Sequence, residues 1–141
     1  MKILAAIVNY GTANDGYLSR VLGEYRDMRE DVDIVVTTNI AKNLGADVEV
    51  IVGLPTRNPR SLAFAHKRIL AERVEDYDLF LYAEDDNLVS QRNIDAFLRA
   101  TSVLPDTDIA GFFSPAIPAD YHAEHKPLID GSDARDTIAN Y

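Results

Sequence analysis

The sequence predicts an α/β fold in which a mostly parallel β-sheet is flanked by helices. Short, continuously apolar runs recur along the chain, and each is too short for a buried helix but typical of a strand covered on both faces. Polar loops follow these runs, and segments with apolar residues at helical spacing separate several of them. This alternation is typical of βαβ units and therefore of a Rossmann-like sheet.

The composition is that of a folded protein with the length of one domain. Hydrophobic residues make up 47% of the 141 positions and charged residues 26%, which disfavours disorder. Because 14 basic and 23 acidic residues give a net charge of −9, neither nucleic acid nor an anionic membrane is an expected partner. The chain has no cysteine, so a metal would be held by carboxylates and histidines. The apolar runs are too short to span a bilayer, the first stops at Asn9 without a cleavage-like site, and we expect a cytoplasmic protein.

The first βα unit is predicted between Ile3 and Met28. Ile3–Val8 is an apolar run with β-branched residues and should form a central strand. Asn14 or Asp15 is the expected cap of the helix that follows. Its apolar residues at helical spacing are Tyr17, Leu18, Val21, Leu22, Tyr25 and Met28.

Two more strands are predicted at Asp33–Asn39 and Val48–Gly53. Between them, residues 39–45 are expected to form one or two helical turns, with Asn39 as cap and Gly45 as stop. The order up to this point is β-α-β-(short α)-β.

The segment after the third strand reverses the charge of the chain. Residues 50–71 contain no acid, and they carry the basic residues Arg57, Arg60, His66, Lys67 and Arg68. Ser61 is the expected cap of a helix that runs through Leu62 and Ile69 toward Tyr77. A loop that carries arginines and leads into a helix can bind phosphate, because free backbone N–H groups and guanidinium groups both donate to phosphate oxygens. The alternative is that each basic residue is an ordinary solvated residue of a helix.

Three consecutive acids, Glu84, Asp85 and Asp86, follow a fourth apolar run at Leu79–Ala83. The run predicts a fully buried strand in the middle of the sheet. Packed carboxylates repel each other unless a cation lies between them, so the arrangement favours Mg²⁺ or Mn²⁺. The alternative is that the acids are solvated loop residues.

The remaining chain is predicted to hold one helix, one strand and a tail. The helix should start at Ser90 or Asn93 and stop at Pro105. Its buried stripe is expected to comprise Ile94, Phe97, Leu98 and Leu104. Ile109–Phe113 is predicted as a fifth strand, which places an α/β domain at residues 1–115 and an irregular loop or tail at residues 116–141.

The acidic strand end and the basic loop together suggest a diphosphate site, with the two parent strands as neighbours in the sheet. A metal would neutralise the phosphates from one side and guanidinium groups from the other. The polar loop Asn9–Thr12 should lie at the same edge, where its aromatic ring and amides suit a nucleobase. The inferred ligand is a nucleoside diphosphate that carries another group.

At this point the sequence resembles a known family. The strand ending in Val8-Asn9-Tyr10, the basic segment 57–67 and the stretch 77–87 are similar to the nucleotide-sugar-binding half of GT-A-fold glycosyltransferases of the family 2 type, over roughly residues 1–115. The acidic triplet resembles the Asp-x-Asp (DXD) element of that family, with Glu84 in place of the first aspartate.

The resemblance implies a role for each matching residue. Asp86 would contact the metal directly, while Asp85 and Glu84 would hold the ribose or the waters of the metal. Arg60 would bind the diphosphate, with His66 or Lys67 near the ribose or phosphates. The residues implied to face base and ribose are Asn9, Tyr10, Thr38 and Asn39.

The implied reaction is attack of an acceptor hydroxyl on the anomeric carbon of the donor sugar, with a carboxylate taking the proton. The family places that carboxylate in an acceptor-binding half. Here the acids after residue 115 are Asp120, Glu124, Asp130, Asp133 and Asp136, none within a motif, and Asp120, Glu124 and Asp130 are the candidates. His122 or His125 could correspond to the late histidine ligand of the family.

Two other interpretations stay open. One is a non-catalytic nucleotide-sugar-binding module, which would bind donor without turnover. The other is a different Mg²⁺-dependent nucleotidyl or phosphotransfer enzyme, although the loop from Asn9 to Gly16 lacks the lysine or arginine that such a nucleotidyltransferase would carry. A homo-oligomer is also an expectation, because a small domain whose last 26 residues have an irregular pattern is expected to cover hydrophobic surface with a partner.

Overall fold

The computed structural model describes residues 1–105 and 107–111, and the chain divides into a unit of residues 1–91 and a second unit that begins at Arg92. In the first unit, four strands form one sheet with the order β3-β2-β1-β4. The strands are β1 (Lys2–Asn9), β2 (Asp31–Thr38), β3 (Val48–Val52) and β4 (Leu79–Glu84). All three pairings are parallel, so the predicted α/β class with a parallel sheet and flanking helices is confirmed.

The register of the sheet brings the carboxyl ends of its strands to one level. Asn9 is paired with Thr38, and Val8 with Glu84. Thr38 is in turn paired with Val52 at the end of β3. Loops that leave β1, β2 and β4 therefore start side by side, which is where ligands bind in open parallel sheets.

The strand β1 is the centre of the core, as its sequence predicts. Residues 3–7 are at most 1% exposed, because this strand is covered on both faces. The helix α1 (Asp15–Arg26) buries one apolar stripe, made of Leu18, Val21, Leu22 and Tyr25. Ile69, in the helix α2 (His66–Glu72), packs with Leu4 and Val35 in a second cluster.

The short helix predicted at residues 39–45 is absent, and the prediction was wrong. Residues 39–45 have bends and irregular backbone only, and the positive φ of 109° belongs to Gly45, the predicted stop, and not to the predicted helical turns. Contacts to α1 hold the loop instead, since Arg26 donates to the Leu44 carbonyl at 2.7 Å and to the Asp47 carboxylate at 2.6 Å. Lys42 pairs with Asp15 on the same helix. These tertiary contacts replace the local hydrogen bonds that a helix would have made.

The helix predicted to start at Ser61 begins earlier and in another form. A 3₁₀ helix spans Pro59–Phe64, and the Asn58 side chain caps it by accepting from the Arg60 N–H at 3.0 Å. Ser61 instead accepts from the N–H of Thr56 at 3.1 Å. The α2 helix then ends at Glu72, short of the predicted Tyr77. Proline at the first helical position and asparagine before it explain the earlier start.

The strand β4 has the predicted position along the chain but not the predicted place in the sheet. It lies at an edge of the four described strands, and Tyr82 is 38% exposed, so the expectation of a fully buried middle strand was wrong. The strands β3 and β4 lie at opposite edges, and the expectation that they are neighbours was also wrong. An apolar run alone does not distinguish a central strand from an edge strand that a helix covers.

The described part of the second unit holds most of one helix, α3 (Gln91–Thr101). Ile94 is buried, whereas Leu98 is 38% exposed, so the predicted stripe is confirmed only in part. Residues 109–111 of the predicted fifth strand are not in a strand, and residues 112 and 113 lie outside the described part of the chain, as do residues 116–141. Within the described residues, no helix has the length and apolar character needed to cross a membrane.

Candidate functional site

The candidate site is a pocket of about 340 Å³ at the carboxyl ends of β1 and β4. Its polar lining comes from Tyr10 and Asn14, which follow β1, and from the acidic triplet, which begins at Glu84, the last residue of β4. Pro59, Arg60, Leu62 and Ala63 of the 3₁₀ helix form the opposite wall. The sequence predicted such a site at this edge, with acids on one side and an arginine on the other.

The segment between β3 and β4 explains how Arg60 reaches the acids. Because β3 and β4 lie at opposite edges of the sheet, the chain must cross over β2 and β1 to connect them. The 3₁₀ helix lies on this crossover, and its residues line the same pocket as Glu84 and Asp86. The predicted meeting of basic and acidic residues is therefore found, but it depends on a crossover and not on adjacent strands.

Asp85 is the buried centre of the site. Its two carboxylate oxygens accept from the side-chain amides of Asn9, at 2.6 Å, and of Asn14, at 2.8 Å. Asp85 is 6% exposed and Asn9 is fully buried. Two amide donors thus compensate the buried charge of Asp85 and tie the end of β4 to the loop after β1.

Two further hydrogen bonds extend this network to β2. Thr38 donates from its hydroxyl to the Asn9 side-chain oxygen at 3.3 Å. Asn39 accepts from the backbone N–H of Gly11 at 2.7 Å, and Gly11 has a φ of 66°, the left-handed region that glycine adopts without strain. The buried Asn9 and Thr38 therefore position the loop 9–14, whereas Tyr10 is 54% exposed and lines the pocket.

The charged groups that remain available are Arg60, Glu84 and Asp86. All three are exposed, and within the described residues their side chains have no hydrogen-bond or ion-pair partner. No three acids or histidines among the described residues are grouped closely enough to hold a metal ion by themselves. Mg²⁺ usually binds one or two protein carboxylates together with substrate phosphates, so the donor set of Glu84 and Asp86 fits a metal that arrives with a nucleotide.

His66 and Lys67 do not line the pocket. The Nδ1–H of His66 donates to the carbonyl oxygen of Ala63 at 2.8 Å, and its ring stacks on Tyr82 with 3.9 Å between centroids. Burial, and then the nearby charge of Glu84, raise the pKa of Tyr82 because both disfavour the phenolate. Lys67 lies over the ring of Phe64, with its ammonium 5.1 Å from the centroid.

Sequence reasoning missed the role of Asn14. It was expected only as a helix cap, and it does precede α1, but its side chain makes no capping hydrogen bond and donates to Asp85 instead. Its position at the end of a polar loop after β1 was the one available signal. The candidate bases Asp120, Glu124 and Asp130 lie outside the described residues, as do Asp133, Asp136, His122 and His125.

Comparison with known proteins identifies no relative of this chain. No protein-family model matches the chain, and neither a curated protein nor a solved structure matches it significantly.

Proposed function

We propose that this chain binds a nucleoside-diphosphate sugar together with Mn²⁺ or Mg²⁺, as the donor-binding part of a GT-A-type glycosyltransferase. One observation carries the proposal: a cationic and two anionic side chains, none with a partner among the described residues, line a single pocket at the carboxyl edge of a parallel sheet. A diphosphate with a divalent cation supplies the missing partner of each side chain.

Each residue then has a defined task. Arg60 donates its guanidinium N–H groups to the diphosphate, and the exposed ring of Tyr10 stacks on the base. Asp86, with Glu84, holds the cation, which when bound neutralises the charge that develops on the departing nucleoside diphosphate. Asp85 acts through Asn9 and Asn14, whose positions it fixes, so it is a positioning residue.

The transfer step forms a bond between the acceptor oxygen and the anomeric carbon, and it breaks the bond from that carbon to the diphosphate. The electron pair of the broken bond leaves with the nucleoside diphosphate, and the acceptor proton passes to a carboxylate. Asp120, Glu124 and Asp130 are the acids proposed for that proton transfer. The acceptor is any hydroxyl compound that reaches the open side of the pocket.

Calorimetric titration of the full chain with UDP, GDP and CDP tests the proposal. Each nucleotide is titrated with Mn²⁺ and again with EDTA, and binding of one nucleotide that requires the metal is the expected result. Hydrolysis of the matching sugar donor is then measured, since binding without turnover indicates a non-catalytic nucleotide-sugar module. If none of the three binds with metal, the proposal fails.

A matched pair of variants locates the metal. Asp86→Ala should abolish the metal-dependent part of binding and leave the unfolding midpoint unchanged, because the side chain is exposed and has no described partner. Asp76→Ala removes another exposed carboxylate, just before the other end of β4, and should change neither quantity. Equal nucleotide affinity in both variants would refute the assignment of Asp86.

A further inference from the structure

A second pocket, of about 420 Å³, lies between β3 and α2, away from the acidic triplet. We refer to it as the β3–α2 pocket. Its floor includes Thr37 and Ile69, which are 2% and 4% exposed, together with the half-buried Ile51. Because the floor is buried while the mouth is open, the pocket is a recess with depth and not a flat patch.

The mouth of the β3–α2 pocket exposes large apolar side chains to water. Phe64 is 61% exposed and Leu54 is 36% exposed, and both line the pocket. Exposed apolar side chains at the mouth of a recess lined mostly by apolar residues are typical of binding sites, since a ligand that covers them removes their surface from water. The volume falls in the range of small-ligand pockets.

Among the described residues that line the pocket, the charged one is Arg68, a cation. Arg68 lines the pocket, and its side chain is 80% exposed, with only a long 3.7 Å contact to Glu72. Lys67 does not line the pocket, but its ammonium lies 5.1 Å from the ring centroid of Phe64, which does. Glu72 follows the acid-free segment 50–71 and contacts Arg68, but it does not line the pocket, so the lining itself is complementary to an anion.

We propose that the β3–α2 pocket binds a single-chain anionic amphiphile, such as an alkyl phosphate or a fatty acid. The apolar chain occupies the recess over Ile51 and Ile69, and the anionic head remains at the water boundary beside Arg68. This site shares no lining residue with the pocket at the ends of β1 and β4, which we call the nucleotide pocket after its proposed ligand. A membrane surface is the less favoured source of such a ligand, because the net charge of −9 repels the protein from an anionic bilayer.

Calorimetric titration of the full chain with decyl phosphate, below the concentration at which it forms micelles, tests this inference. Inorganic phosphate and butyl phosphate carry the same head with no chain or a short one, and we expect at least about 100-fold weaker binding because they bury less apolar surface. Decyltrimethylammonium has the same chain with a cationic head and should also bind more weakly. Amide NMR shifts should be largest along β3 and residues 64–69.

Three exposed positions provide variants with little risk to folding. Phe64→Ser should weaken decyl phosphate binding about tenfold by removing apolar cover at the mouth. Arg68→Gln should weaken it about fivefold, as expected for an exposed charge pair. Arg20→Gln removes the same charge from an exposed position on α1 and is the matched control, with unchanged affinity.

The outcomes separate this site from its alternatives. Chain-dependent binding that both Phe64→Ser and Arg68→Gln weaken supports the proposal. Equal binding of inorganic phosphate, or shifts confined to Glu84–Asp86, would assign the anion to the nucleotide pocket and overturn it. Binding to anionic phosphatidylserine vesicles without binding of monomeric decyl phosphate would overturn it in favour of a membrane surface, and no binding of either overturns it outright.

Discussion

The two ends of the sheet in the first unit carry their charges in opposite ways. At the amino end, the charges of Asp33 and Glu49 are paired: Asp33 accepts from the Tyr77 hydroxyl at 2.6 Å and from the Lys2 ammonium at 3.1 Å. Arg73 makes two contacts of 2.9 Å with the carboxylate of Glu49. At the carboxyl end, the side chains of Arg60, Glu84 and Asp86 have no such partners among the described residues.

This difference distinguishes two kinds of charged residue in one sheet, those that stabilise the fold and those that are available to a ligand. Paired charges at the amino end are complete without any ligand, so their contribution is to the folded state, and a modest one because they are largely exposed. Unpaired charges that converge on a pocket contribute nothing comparable to folding. They are available to a ligand, and we therefore expect changes to these unpaired charges to alter binding and changes to the paired charges at the amino end to alter stability.

Asp85→Asn is the exception to this division, and we expect it to have the largest effect. The carboxylate accepts from two amides, whereas an asparagine offers one carbonyl oxygen and places an NH₂ group against another amide NH₂. Urea unfolding should show that the free energy of unfolding falls by about 2 kcal/mol, since a buried donor loses its charged acceptor. Nucleotide binding should weaken as well, because Asn9 and Asn14 lose their fixed positions.

Glu84→Gln is the control for Asp85→Asn. Glu84 is an adjacent but exposed acid, and its side chain has no partner in the part of the chain that the structure describes. The midpoint of urea unfolding should stay unchanged. A loss of stability equal to that of Asp85→Asn would show that the triplet acts as one charged group and not through the buried Asp85.

Arg60→Gln should have the next largest effect, on binding alone. The guanidinium lines the pocket, and removing a charged donor to phosphate should weaken nucleotide affinity by about tenfold to 100-fold, as for a charge-assisted hydrogen bond. Arg57→Gln, three residues earlier in the same exposed loop, is the matched variant because Arg57 does not line the pocket. If the two variants weaken binding equally, the loop acts only by its overall charge.

The sequence predicted the regular elements well where apolar patterning decides the structure. β1 and β2 were placed within two residues at each end, and α1 was placed by its helical spacing. Predictions failed where contacts distant in sequence decide, as in the loop 39–45, which Arg26 and Lys42 fix to α1. Sheet order failed for the same reason, because no local feature of the run 79–83 says which strand will lie beside it.

The sequence indicated which kinds of residue would meet at the candidate site, but not which hydrogen bonds would connect them. Acids after β4 and an arginine after β3 could be recognised, since polar residues that follow apolar strands collect at one edge of a parallel sheet. The bond between Asn14 and Asp85 joins residues 71 positions apart, and nothing in either local sequence indicates it. Likewise, only the folded structure shows that Asp85 is buried while its neighbours Glu84 and Asp86 are exposed.

Tyr77→Phe tests the amino end and should have the smallest effect. The Tyr77 hydroxyl, and then Lys2, hold the pKa of Asp33 below its ordinary value of 3.8 because they stabilise the carboxylate. A lowered folded-state pKa contributes stability above the unfolded pKa, and this stability is lost as the pH falls through the folded pKa. At pH 7 the variant should lose about 0.5 to 1 kcal/mol, a modest value because the Asp33 side chain is half exposed.

Measurement of the unfolding free energy from pH 7 to pH 2 completes this test. The difference between the parent protein and Tyr77→Phe should shrink below about pH 4, since protonated Asp33 no longer favours the hydroxyl of Tyr77. Tyr17→Phe is the control, because Tyr17 is 60% exposed and has no described hydrogen-bond partner. Nucleotide affinity should stay unchanged in both variants. A loss of affinity in Tyr77→Phe would show that the two ends of the sheet are coupled. It would contradict the assignment of stability to the amino end and of binding to the carboxyl end.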